Sequence, residues 1–169
     1  MANEYSANLK MRMEIVEVLD AALAVASASR DARTLKHLID IDKTINAGTV
    51  PEVTKVGVFS HTITSGDPDS IDLAAITHAV AQSVNGTGLK VVGIVIKADS
   101  ENAAAILVEA GATNGYTLFG SAFAFTVAPG ATLMYDGVGP AISSTVKTID
   151  VSGTTNDVVS FMILMGDNS

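Results

Sequence analysis

Residues Phe123 to Tyr135 read FAFTVAPGATLMY, and here side-chain alternation and turn chemistry agree. Phe123, Phe125 and Val127 fall on one side of an extended chain, Ala122, Ala124, Thr126 and Ala128 on the other. Pro129 fixes φ and Gly130 is free to take a positive φ, as a tight turn requires, before Leu133 and Tyr135 resume the apolar side. The pattern predicts a β-hairpin.

Toward the C-terminus two more strands are predicted, Thr145 to Val151 and Val158 to Met165. The second is apolar on both faces, with Val158, Val159, Phe161, Met162, Ile163, Leu164 and Met165. A strand of this kind belongs inside a sheet, and a subunit interface is the second expectation for its outward residues. If the strand is integral, truncation after Thr155 gives insoluble or unfolded protein.

Toward the N-terminus, LKVVGIVIKA at Leu89 to Ala98 is β-branched and bounded by turn residues, which predicts a central strand buried on both faces. Asn114-Gly115 is a favoured hairpin dipeptide and predicts local pairing of Ala103 to Val108 with Tyr116 to Phe119. Val53 to Thr64 reads as a strand that ends in the acidic loop SGDPD at Ser65 to Asp69. Ile71 to Val84 reads as a short strand plus loop, stopped by Asn85-Gly86-Thr87-Gly88. Leu9, Met11, Met13 and Ile15 alternate with Lys10, Arg12 and Glu14, and Leu35 to Ile45 alternates similarly, so each predicts a strand. The Ala-rich stretch Ala21 to Ala32 between them reads as a loop.

About ten short strands with no helices between them predict an all-β fold, an antiparallel β-sandwich that is jelly-roll-like. No internal repeat or charged linker interrupts the chain, so residues 1–169 read as a single β-sandwich domain, with the N-terminal region 1–69 the least defined.

Charged residues make up 17% of the chain, below the roughly 25% of an average domain, which suggests that other subunits cover part of the surface. The formal net charge of -8 opposes contact with nucleic-acid phosphates, so no nucleic-acid partner is expected. There is no cysteine, which excludes thiolate chemistry. The opening MANEYSANLKMRMEIVEV lacks an uninterrupted apolar region, and no run approaches the roughly 18 apolar residues of a membrane span, so neither export signal nor membrane contact is expected.

Candidate chemistry is sparse. His37, His61 and His78 lie in separate segments without metal-ligand spacing. Asp67, Asp69 and Asp72 could supply oxygen ligands for calcium, but the loop lacks the register of a calcium-binding hand and reads as a solvated acidic turn. Asp40 and Asp42 share one face of a strand beside Lys36, the pattern of an exposed charged face. Ser60 and His61 are sequence neighbours, so a strand sends them to opposite faces and spoils a nucleophile-base contact. Gly86-Thr87-Gly88 lacks the third glycine of a dinucleotide motif and marks a turn, and Asn85-Gly86-Thr87 matches a glycosylation acceptor without a secretory context. No catalytic, cofactor-binding or metal residue is predicted, and no cofactor.

The run SIDLAAITHAV, the strand GLKVVGIVIKA, the segments NGYTLFG and FTVAPGATLMY, and the closing SGTTNDVVSFMILMG together resemble a family of small structural proteins of tailed phages. The likeness covers roughly Ser70 to Gly166 and is a pattern of strands and turns, so it carries over no functional residue. It implies a β-sandwich with a structural role in the virion and no enzymatic activity. The expectation is a decoration or cement protein made in the host cytoplasm, which binds the major capsid protein at the capsid surface as a homo-oligomer. A trimer is favoured, because capsid lattices offer threefold positions where a symmetric cap gains avidity. The alternative is a tail- or fibre-associated module that binds the host surface or a glycan, and a cellular sugar-binding sandwich or small hydrolase stands third.

Overall fold

A computed structural model describes residues 6–17, 35–46, 52–65, 67–77, 83–118 and 122–167, and every helix or strand among them is a strand. In chain order these are β1 (Ser6–Glu17), β2 (Leu35–Asn46), β3 (Lys55–Thr62), β4 (Asp69–Asp72), β5 (Ile76–Thr77) and β6 (Ser83–Val84). They continue with β7 (Lys90–Ala98), β8 (Ile106–Ala110), β9 (Ala124–Val127), β10 (Thr132–Asp136), β11 (Thr148–Ser152) and β12 (Val158–Gly166). The chain divides into two compact units. In Asn8–Thr44, β1 pairs with β2, while Met1–Ala7 with Ile45–Ser169 forms the unit that holds β3 to β12. No linker in the sequence marks this division.

The larger unit contains two four-stranded sheets, ordered β10-β7-β12-β3 and β4-β11-β8-β9, and the small β5-β6 pair. Every pairing within them is antiparallel. With β5 and β6 set aside, eight strands remain, and the first pairs with the last, β3 with β12. In the same way β4 pairs with β11, β7 with β10 and β8 with β9. This nested pairing arises when one long antiparallel ribbon is rolled up on itself.

Side-chain alternation puts one face of each sheet into a common core. Ile94, Ile96, Phe161 and Ile163 come from the first sheet, Ile106, Val108, Ile149 and Val151 from the second, and all are buried in one cluster. Each such side chain contributes on the order of 2 kcal/mol by leaving water. The Phe59 and Phe161 rings stack with centroids 5.2 Å apart on the paired strands β3 and β12. Tyr116 is fully buried, and its hydroxyl donates to Pro140 O at 2.7 Å and accepts from Val91 N at 3.1 Å. Burial therefore pushes its phenol up to about 12.

Strands β7 and β12 occupy the interior sheet positions that their apolar runs predict. Two turn expectations need correction. Pro129-Gly130 does form a tight turn, with Gly130 at φ 76 and Ala131 N donating to Ala128 O at 2.9 Å. It does not close a hairpin, since β9 pairs with β8 and β10 with β7 in the other sheet. A local turn motif specifies reversal of the chain and not which strand each arm pairs with.

Asn114-Gly115 also turns, with Asn114 at φ 57, but no strand covers residues 116–118 and no hairpin forms there. The Asn114 carbonyl accepts from Lys147 N and Thr148 N at 2.7 and 3.0 Å, and Tyr116 N donates to Thr148 O at 2.7 Å. The turn is thus tied to the start of β11, and it delivers Tyr116 to the core. Burial of that ring outweighs the local hairpin preference. The expected loop Ala21 to Ala32 lies outside the described residues, as do Phe119 and His78.

Candidate functional site

β3 and β4 are the terminal strands of the two sheets on one side of the sandwich, and the chain passes directly from one to the other through residues 63–68. Alternation along β3 is fixed by its register with β12. His61 lies opposite Val159, a core residue, and Ser60 lies opposite Ser160, where the two hydroxyls are 2.8 Å apart. Ser60 and His61 therefore leave opposite faces, as their adjacency predicts.

His61 Nε2 is 3.0 Å from Asp69 Oδ2. An ionised carboxylate can only accept, so this nitrogen carries the hydrogen. Asp69 also accepts from Thr64 N and Thr64 Oγ1, each at 3.0 Å. The bond from His61, then those from Thr64, hold its carboxyl below the usual carboxylate range. The acidic loop is shorter than its sequence implies, because Asp69 opens β4 and Asp72 closes it. Asp72 takes Lys147 Nζ at 2.5 Å and Ala74 N at 2.8 Å, while Asp67 sits in an exposed turn with its amide on Ser65 Oγ at 3.2 Å. The three aspartates are thus divided among separate partners. Among the described residues no group of three or more His, Asp or Glu side chains could hold a metal ion.

Beside the His61-Asp69 pair lies a cleft of about 410 Å³, lined by Phe59 to His61, Ser70 to Asp72 and Ala75 to Thr77. Apolar walls come from Phe59, Ile71 and Ile76, and polar groups from His61, Asp72 and Thr77. The sequence shows His61 and the acidic turn but not the cleft, which exists only because two sheets end side by side. Ser70, which lines it, donates its hydroxyl to the buried Asp150, and Asp150 also accepts from Ala112 N at 2.8 Å.

A second feature lies on the outer face of the β10-β7-β12-β3 sheet. Register places Met134, Val95, Met162 and Val58 in one row across all four strands. Met162 is 42% exposed and the other three are half-buried. The neighbouring row, Thr132, Lys97, Ser160 and Ser60, is polar.

Elsewhere, Asn85 Oδ1 accepts from Thr87 N at 2.8 Å, so Asn85-Gly86-Thr87 forms a side-chain-capped turn. A Cβ at Gly86 would lie 2.5 Å from Leu73 O, and this close approach explains the glycine. Lys36, His37, Asp40 and Asp42 fall on β2, and their side chains lie outside the description. No family model, curated protein or solved structure matches the chain.

Proposed function

We propose that the protein is a non-enzymatic structural component of a tailed-phage virion, a decoration protein that binds the major capsid protein at the head surface as a homo-oligomer, with a trimer favoured. The observation that supports this reading is the apolar row Met134, Val95, Met162 and Val58 on an outward sheet face. A large apolar side chain held in water on a rigid sheet suits contact with another protein surface. The small share of charge, 17% of residues, points the same way. Repetition of one modest contact across a lattice supplies avidity without a deep pocket.

The test adds purified protein to capsids lacking it and, in parallel, to intact host cells. Saturable binding to capsids is expected, with Met162→Glu weakening it at least about tenfold while leaving the fold intact, since exposed positions tolerate substitution within roughly 0.5 kcal/mol. Binding to cells with none to capsids would favour a tail- or fibre-associated module instead. Mass spectrometry of heads separated from tails locates the protein independently.

A further inference from the structure

We infer that the β1-β2 unit is the surface through which copies of this chain associate, three copies closing into one barrel of six strands, two from each. Among the described residues its sheet consists of β1 and β2 alone, and each strand runs 12 residues, about 40 Å. A lone pair of strands is marginal in water, and independent stability takes a third strand or cover for an apolar face. The pair also leaves one long edge of each strand unpaired, which is a template for another chain.

The sequence supplies an apolar face to cover. Alternation places Leu9, Met11, Met13 and Ile15 on one face of β1 and Ile39 and Ile41 on one face of β2. Arg12 and Glu14, with Asp40 and Asp42, take the opposite faces. Pairing register follows the hydrophobic pattern, so the two apolar files share one side of the sheet. Glu17, His37 and Lys43 fall on that side too, but nearer its ends, where a barrel opens to water.

A second copy alone does not complete this structure. The apolar face measures about 40 Å by 10 Å, roughly 400 Å², about half of what each partner of a standard interface buries, and two such faces laid together leave every edge open. Three copies meet both needs. Parallel pairs occur almost only in sheets covered on both faces, so β1 and β2 run antiparallel, and around a threefold axis each β1 meets the next copy's β2, antiparallel again. Closure removes the edges, puts the apolar faces inside and leaves the charged faces in water. The inference gives the homo-oligomer of the proposed function its surface, rests on that reading only for the expectation that copies associate, and needs no capsid.

The chain has no cysteine, so single introduced thiols report which faces meet. Light scattering on the full chain at micromolar concentration should give three chain masses, and Met11→Glu with Met13→Glu should reduce this to one while the NMR signals of the buried Tyr116 and Phe161 persist. Met13→Cys treated with a short bismaleimide should give linked chains on a denaturing gel, at least about tenfold more than Arg12→Cys, whose position lies on the opposite face. The linkage comparison uses neither capsids nor the glutamate variant, so it decides the matter even if that variant does not fold, and it separates failure of this inference from failure of the capsid reading. A monomer, the outcome if this face is covered within one chain, a dimer, a trimer that survives the double substitution, or equal linkage at Met13 and Arg12 would each overturn the proposal.

Discussion

The chain crosses between terminal strands of the two sheets at two places, β9 to β10 and β3 to β4, and the two crossings are built differently. At β9 to β10 the backbone supplies the bonds. Ala131 N reaches Ala128 O at 2.9 Å, Gly130 N reaches Asp99 O at 3.1 Å, and Ala98 N reaches Ala131 O at 3.1 Å. At β3 to β4 a carboxylate contributes. Asp69 gathers His61 and Thr64, and Ile63 N donates to the backbone carbonyl of Asp157, whose buried carboxylate accepts instead from Ala103 N at 2.7 Å and Thr154 N at 3.0 Å, outside the crossing. A crossing closed by its own backbone is tight, whereas one held by side chains can stand apart and leave a cleft.

The largest loss should come from removing the buried carboxylate next to the β3 to β4 crossing. Asp157→Ala leaves two amides without an acceptor where Asp157 is only 3% exposed, and it should cost about 3 kcal/mol. The urea midpoint measures it, and a loss under about 1 kcal/mol would show that the Ala103 and Thr154 amides do not depend on this carboxylate. At the other crossing the sensitivity should lie in the backbone. Gly130 has φ 76, and an added Cβ would meet Ser100 at an ordinary 3.7 Å, so Gly130→Val should cost about 2 kcal/mol through conformation and not through a clash. Gly130→Asn should cost clearly less, and equal losses for both variants would contradict a backbone origin.

A site within neither crossing calibrates both. Tyr116→Phe removes the acceptor of Val91 N and the donor to Pro140 O, for an expected loss of about 1.5 kcal/mol at neutral pH. Its pH dependence is also distinctive. The phenol titrates at about 12 in the folded chain against 10.0 unfolded, so its contribution is complete below pH 10 and is lost as pH rises toward 12. The phenylalanine variant should lack that alkaline limb, and an unchanged limb would assign it to other groups.

The same division explains what the sequence reveals. Apolar, β-branched runs bounded by turn residues located β3, β7 and β12, because burial of a strand is written in adjacent residues. Pro129-Gly130 announced its turn for an equally local reason. Its role as a crossing was hidden, because the partners of β9 and β10 are set by competition among all strands for sheet positions. Asn114-Gly115 misled for the same reason, with Thr148 and a buried Tyr116 deciding its geometry. The cleft was the least legible feature. Its walls come from β3, β4 and β5, and Asp157, whose backbone carbonyl accepts from Ile63 N just after β3, lies far along the chain.

The smallest expected effect concerns Asp69, and its sign can be worked out. Hydrogen bonds from His61 and Thr64 lower its pKa below the ordinary 3.8, so the folded state releases this proton more readily than the unfolded chain. The contribution to stability is therefore complete above the unfolded value and is lost as pH falls through the lower folded value. Asp69→Asn keeps the shape of the group but cannot titrate. Unfolding by urea, compared at steps from about pH 6 down to about pH 2, should show wild type losing its advantage over the variant only in the acid part of the range. Because Asp69 touches only the β3 to β4 crossing, the variant should also speed amide exchange at Thr64 while leaving Gly130 and Ala131 unchanged. Parallel acid limbs, or faster exchange at both crossings, would mean that this carboxylate does not serve one crossing alone.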